Sequence, residues 1–99
     1  MIFIDINIFI DRIEFNIFDL KQQQKKDILQ DKILVPKSFN IGDKLNYIRK
    51  YMVILIKQYK IEKAYVNIED GIGIEVIDIV KMEGIVEELL SNCGVKKCK

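Results

Sequence analysis

Three acidic side chains stand out because each interrupts or ends an apolar stretch. Asp5 lies inside the alternating segment 2–10, and Glu69 and Asp70 follow the apolar run 64–68. Polar residues at strand ends gather at one edge of a sheet, so neighbouring strands would bring Asp5 and Glu69 together. We then expect Asp5, Glu69 and Asp70 to hold a divalent cation, Mg²⁺ or Mn²⁺. Water bound to such a cation becomes a nucleophile for phosphodiester hydrolysis.

The same acids also have a structural interpretation. Asp5 on a solvated surface of the sheet needs no metal. Glu69 and Asp70, placed before Gly71, equally form a turn and cap the next helix, whose N-terminus favours acidic side chains. The segment Gly71–Gly73 lacks the third glycine and the Lys-Ser/Thr of phosphate-binding loops, so it predicts a turn and no nucleotide site.

The composition limits which other chemistry is possible. The chain has 99 residues, 49% hydrophobic and 31% charged, which is typical of one folded domain and excludes a disordered tail. It contains no histidine, so histidine-based triads, proton shuttles and zinc sites are excluded. The net charge of +1 produces no overall field that would indicate nucleic acid or an anionic membrane.

The expected location is the cytoplasm. Cys93 and Cys98 are too few for a secreted disulfide framework, which favours a reducing compartment. Segment 1–10 has no basic start and contains Asp5, so it is a poor signal peptide. No apolar run reaches the roughly 18 residues that a membrane span needs, so we expect no membrane partner.

The first third of the chain has the two-residue period of β-strands. Residues 2–10 alternate, and residues 13–18 repeat the period, which predicts an antiparallel hairpin with its turn at 11–12 or earlier, within 7–11. The polar segment 21–26 is expected to be a loop. A third strand is predicted at 32–35, where Pro36 ends it.

The remaining residues have helical periodicity interrupted by one strand. An apolar stripe predicts a helix over 41–59, with Asn40 as its N-cap. Residues 64–68 predict a central strand covered on both faces. A second helix with a stripe from residue 76 to residue 93 should end at Gly94 in a left-handed cap. Residues 95–99 either begin another strand or fray.

These elements predict an α/β fold with a mixed sheet, three antiparallel strands followed by a parallel one, in the order β-β-β-α-β-α. With Asp5 in the first strand and Val66-Asn67-Ile68-Glu69 closing the fourth, this order resembles the ribonuclease H-like superfamily, particularly the RuvC-type Holliday-junction resolvases. The resemblance implies that Asp5 is the first catalytic acid and Glu69 the second. The stretch 80–86 is similar to the family's next helix, where a small residue, here Gly84, lets the helix lie close to the sheet.

The sequence also departs from that family. Further catalytic carboxylates come from a later helix in the family, and residues 1–99 are expected to form one domain that lacks its C-terminal third. The glycine that commonly follows the first acid is replaced by Ile6. The departures favour a catalytically depleted binding module that works as a homo-oligomer with a protein or nucleic-acid partner. The alternative is a divalent-metal-dependent nuclease completed by another chain. A third class, actin-like or kinase-like nucleotide-binding proteins, would need phosphate loops that the sequence does not show.

The predicted surfaces suggest how such a module associates. Phe3, Phe9 and Phe18 lie opposite the hairpin isoleucines, and helices on one face of the sheet would leave the other uncovered. We therefore expect self-association through that face or through a sheet edge. Lysines cluster at 21–26, at 57–63 and at 96–99, but acids are interspersed and aromatic residues are not interleaved, which favours a solvated surface.

Overall fold

The chain forms one mixed sheet with two helices packed on the same face. The computed structural model describes residues 1–36, 38–69 and 75–98. The elements are β1 (Ile2–Ile8), β2 (Arg12–Lys21), β3 (Gln24–Leu34), α1 (Ile41–Tyr59), β4 (Lys63–Ile68), α2 (Glu75–Asn92) and β5 (Lys96–Lys97). The strand order is β3-β2-β1-β4-β5; β1 to β3 are antiparallel, and β4 and β5 run parallel to β1. The predicted α/β architecture is therefore confirmed, with β1 beside β4.

The turn of the first hairpin lies within the range that the sequence allowed. Ile8 pairs with Ile13, and the Phe9 N–H donates to the Arg12 carbonyl at 2.9 Å, so the turn lies at residues 10–11. The alternation of the two strands places Ile4, Ile6 and Ile8 under the helices, and all three are fully buried. Their burial fixes the register of the hairpin, because a one-residue slip would expose the whole set.

The prediction of a loop at residues 21–26 was wrong. Gln22 and Gln23 have φ values of 50° and 67°, which form a tight left-handed turn, and β3 begins at Gln24. The strand is 11 residues long, well beyond the predicted 32–35. It is an edge strand held by its backbone ladder to β2 and largely exposed, so it needs no apolar alternation.

The helix ends follow the predicted capping chemistry. The Asn40 side chain accepts a hydrogen bond of 2.8 Å from the Asp43 N–H at the start of α1. At the end of α2, Gly94 has φ 75°, and the Val95 N–H donates to the Leu90 carbonyl at 2.8 Å. A positive φ costs glycine little, so Gly94 lets the chain leave the helix and enter β5.

The hydrophobic core lies between the helices and one face of the sheet. The helices contribute Ile48, Met52, Met82 and Val86, each fully buried against the isoleucines of β1 and β2. A fully buried aliphatic or methionine side chain contributes about 1.5–3 kcal/mol relative to exposure. No helix in the described part of the chain is long and apolar enough to cross a membrane.

Two expectations about packing were wrong. In β4 only Ala64 is buried, whereas Tyr65 and Asn67 are exposed, because both helices cover the same face of the sheet. Gly84 is on the exposed side of α2, and a Cβ added there would meet no atom within 4 Å. A close approach of α2 to the sheet therefore does not depend on this glycine.

Candidate functional site

The surface of the sheet that faces away from the helices carries the predicted site residues. Phe3 and Phe18 are buried but lie outside the core cluster beneath the helices, which identifies their side of the sheet as the opposite one. We call this surface the open face. Strand alternation and pairing assign to it Phe3, Asp5, Asn7, Glu14, Asn16, Phe18, Lys63, Tyr65 and Asn67.

Asp5 lies in the middle of the open face. It pairs with Asn16 of β2 on one side and with Tyr65 of β4 on the other, and its side chain is half-buried. The side-chain amide of Asn67 donates to Asp5 Oδ1 at 3.2 Å. Asp5 is thus held by a neighbouring strand within the sheet and does not lie at its rim.

Glu69 lies at the end of β4 and is exposed. Its backbone N–H donates to the Ile8 carbonyl at 3.0 Å, which continues the β1–β4 ladder by one residue. The alternation of the strand places its side chain on the same face as Asn67 and Asp5. The two acids therefore lie on one surface of adjoining strands.

The register, however, separates the two acids along the strand. Asp5 pairs with Tyr65, and Glu69 is four residues farther along β4. At roughly 3.3 Å per residue this offset is about 13 Å, more than two acids sharing one cation can span. Asp70 lies outside the described residues. Among the described residues, no three acids or cysteines are grouped closely enough to hold a metal ion.

Asn7 is the polar residue of β1 that lies nearest to the Glu69 end of the open face. It pairs with Glu14 of β2 and with Asn67 of β4, so three strands contribute to one row of oxygen-bearing side chains. A shallow depression of about 380 Å³ adjoins this row, lined in part by Asn7, Glu14, Asn16, Gln30 and Lys32. Asn7 was not among the predicted site residues, although its position in the alternating strand indicated the same face as Asp5. We call the part of the open face around Asp5, Asn7, Glu14, Asn67 and Glu69 the acidic half.

Comparison with known proteins identifies the architecture. No protein-family model matches the sequence, and no curated protein matches it. Among solved structures, Thermus thermophilus RuvC superposes with a TM-score of 0.83 at 10% identity over 98% of this chain and 61% of that one. The same protein in complex with a Holliday junction substrate gives 0.85 at 11% identity, over 98% and 63%. The fold is ribonuclease H-like.

Two further solved structures also superpose on the chain. Fowlpox virus resolvase, solved with Holliday junction DNA, gives a TM-score of 0.66 at 17% identity over 99% of this chain and 58% of that one. An exopolyphosphatase from Cytophaga hutchinsonii gives 0.62 at 6% identity, over 98% and 33%. The chain therefore spans less than two thirds of the length of the resolvases that it matches.

The open face carries oxygen-bearing side chains of the kind that Mg²⁺ and Mn²⁺ prefer as ligands. Asn16 Oδ1 is buried without a hydrogen-bond partner among the described residues, and Asn16 pairs with Asp5 across the strands. Mg²⁺ is commonly bound by one or two carboxylates, with waters and substrate phosphates completing its coordination. The carboxylates and amides of the acidic half fit this chemistry. A site built by protein acids alone is not assembled by the described residues.

The opposite half of the open face carries an aromatic stack that sequence analysis missed. The Phe3 ring stacks on Phe18, with centroids 5.2 Å apart, and on Tyr65, with centroids 6.1 Å apart. Lys25 Nζ lies 4.6 Å from the Phe18 centroid, and Lys63 Nζ lies 5.9 Å from the Phe3 centroid. The fold thus brings lysine side chains against aromatic rings, although lysines and aromatic residues do not alternate along the sequence. We call this part of the surface the aromatic half.

Proposed function

We propose that this chain acts on nucleic acid as a divalent-metal-dependent nuclease resembling Holliday-junction resolvases. The observation that carries the proposal is the superposition of 98% of the chain on RuvC in its complex with a Holliday junction, at a TM-score of 0.85. A viral resolvase solved with junction DNA also superposes on 99% of the chain. At identities of 11% and 17% these superpositions show the fold alone. We therefore infer the activity from the fold together with the residues of the open face.

In the proposed reaction, Glu69 is the principal cation ligand. It is exposed at the end of β4, where a phosphodiester can approach, and Asn7 lies on the neighbouring strand. Asp5 contributes negative charge from within the sheet, and Asn67 fixes its carboxylate. A bound cation would polarise the scissile phosphate and lower the pKa of its water. The remaining ligands would come from the nucleic acid, from Asp70 or from a partner chain.

Cleavage assays test this proposal. Branched and single-stranded DNA should be cut in Mg²⁺ or Mn²⁺, and Glu69→Gln should abolish the cutting. Asp5→Asn should reduce it, because the negative potential of the acidic half falls while the residue remains isosteric. Glu62→Gln is the matched control, since Glu62 is also exposed but precedes the opposite end of β4. Equal loss in Glu62→Gln and Glu69→Gln, or cutting that persists in Glu69→Gln, would refute the assignment.

A second candidate function is nucleic-acid binding without cleavage. It is favoured by the offset of about 13 Å between the register positions of Asp5 and Glu69. It is also favoured by the amides Asn7 and Asn67, which occupy the row nearest to Glu69. Neutral amides cannot replace the charge that a carboxylate gives a divalent cation. This function predicts retention of a labelled junction with no strand cutting and no rise in melting temperature on addition of Mn²⁺.

We also propose that the chain works as a homo-oligomer in the cytoplasm. The open face offers little apolar area, because Phe3 and Phe18 are already buried within the chain. Exposed apolar side chains lie instead on α2, including Ile77 and Val80, and on the edge strand β3, including Ile28 and Leu34. Sedimentation should therefore detect an oligomer that Ile77→Glu weakens, whereas a monomer at high concentration would contradict this part of the proposal.

A further inference from the structure

We propose that the aromatic half of the open face binds single-stranded nucleic acid, with an unpaired base stacked on Tyr65 and backbone phosphates bound by lysines. The inference rests on the proposed function only in that the chain engages nucleic acid. It adds a binding site, and a substrate form, that the acidic half does not specify.

The stack has one closed end and one open end. Phe3 lies between Phe18 on β2 and Tyr65 on β4, and the interplanar angles are 9° and 16°, so the three rings are nearly parallel. Lys25 covers the Phe18 end. In the part of the chain that the structure describes, no second ring and no cation lies over Tyr65.

Tyr65 is the member of the stack that solvent reaches. It is 36% exposed, whereas Phe3 and Phe18 are each 7% exposed. The neighbour on its outer side is Cys98, whose N–H donates to the Ala64 carbonyl at 2.7 Å. A side chain as small as Cys98 leaves room for a planar ring, so a base on Tyr65 would extend an existing stack by one member.

Positive charge is placed beside the open end. Lys63 and Lys96 pair in register on β4 and β5, next to Tyr65, and form no ion pair within residues 1–36, 38–69 and 75–98. Asp27, the acid beside Phe18, accepts a hydrogen bond from Asn16 and lies 3.9 Å from Lys25. Asp5 pairs with Tyr65 across the strands and accepts a hydrogen bond from Asn67. Two lysines against this one carboxylate leave the charge around Tyr65 positive, which complements phosphate.

The combination favours a single strand over other occupants. Bases expose their faces to aromatic side chains only when they are unpaired, and stacking with flanking cations is the usual way of binding single strands without sequence preference. A second copy of the chain or an apolar peptide would need a wider apolar surface than Tyr65 supplies. A duplex would present phosphates to Lys63 and Lys96 but no base to Tyr65.

Fluorescence anisotropy with a labelled oligothymidylate, in EDTA to prevent cutting, tests this inference. Tyr65→Leu should weaken binding by at least about fivefold, the lower range for one stacked base. Tyr65→Phe should bind like the wild type. Tyr51→Leu is the matched control, because Tyr51 is 45% exposed on α1, and it should have no effect. Replacing both Lys63 and Lys96 by Gln should reduce the salt slope by about 1.4, at roughly 0.7 per phosphate.

The inference is overturned by a wild type that binds no oligonucleotide, by unchanged binding in folded Tyr65→Leu, or by an equal loss in Tyr51→Leu. If Tyr65→Leu does not fold, the Lys63 and Lys96 double variant decides by its salt slope. Dimer dissociation in Tyr65→Leu without weaker oligonucleotide binding would assign the surface to a second copy and also overturn it. Tyr65-dependent binding without metal-dependent cutting would refute the proposed nuclease activity and support the single-strand site. Metal-dependent cutting without Tyr65-dependent binding would support the nuclease activity and refute the single-strand site.

Discussion

The side-chain amide of Asn67 donates to Asp5 Oδ1 at 3.2 Å and so joins β4 to β1 across the open face. This contact orients Asp5, one of the two candidate acids. Asn67 itself lies two positions before Glu69, the other candidate acid. Asn67 therefore connects the interior acid to the strand end where we place the chemistry.

Removing this contact should lower stability moderately. Asn67→Ala deletes the donor to Asp5, and a hydrogen bond to a charged group contributes about 1.5–3 kcal/mol, less where water replaces it, as on this exposed face. We expect a loss of about 1 kcal/mol in the free energy of unfolding, measured by urea denaturation. Asn46→Ala, at an exposed position of α1, is the control and should not destabilise. Equal stability of wild type and Asn67→Ala would show that the contact contributes nothing.

The cap of α1 provides a second prediction. Asn40→Ala removes the acceptor for the Asp43 N–H and should cost about 1 kcal/mol, whereas Asn40→Asp keeps an acceptor and should cost far less. Thermal and urea unfolding of the two variants measure the difference. Identical losses in both variants would mean that the cap does not stabilise this helix.

Two isoleucines in different environments test the core. Ile6 is fully buried between sheet and helices, and Ile6→Ala should cost about 2–5 kcal/mol because it leaves a cavity. Ile54 is 60% exposed on α1, and Ile54→Ala should change stability by no more than about 0.5 kcal/mol. Equilibrium denaturation measures both, and a large loss in Ile54→Ala would indicate that its face is covered in solution.

Much of this fold could be predicted because the sequence pattern and the burial agree. The alternating isoleucines of β1 and the stripe of α1 reach the core as their periods require. The edge strand β3 could not be found in this way, since its ladder to β2 depends on backbone groups and on the left-handed turn at Gln22 and Gln23. Residue type alone did not indicate that turn.

The candidate site was predicted less completely than the fold. The sequence indicated that Asp5 and Glu69 belong to adjoining strands, but their offset depends on the register between β1 and β4, which no local pattern determines. The stack of Phe3, Phe18 and Tyr65 was missed for the same reason, because its members come from three strands. Pairing between distant segments, and not local propensity, sets these distances.

Lowering the pH should reveal how much the ion pair between Met1 and Asp19 contributes to the free energy of unfolding. The pKa of Asp19 is lowered, first because the Met1 ammonium donates a hydrogen bond to it at 2.9 Å. A lowered pKa in the folded state gives stability that is present above the ordinary aspartate pKa and is lost as pH falls through the lowered value. Asp19→Asn should therefore be less stable than wild type at neutral pH, and the difference should narrow at about pH 3, below the ordinary aspartate pKa. Denaturant midpoints at both pH values measure this, and a difference that persists in acid would exclude the ion pair as its cause. Lys21→Gln should show the same trend more weakly, since Lys21 is a smaller cause of the shift.

The most direct test of the nuclease proposal is the Mn²⁺-dependent cutting rate of a labelled four-way junction by wild type, Glu69→Gln and Asn7→Asp. Asn7 pairs with Asn67, two residues before Glu69, so Asn7→Asp brings a second carboxylate closer to Glu69 than Asp5 is. We predict cutting by the wild type, faster cutting by Asn7→Asp and none by Glu69→Gln. Absence of cutting by all three folded proteins, or equal rates in all three, would contradict the proposal.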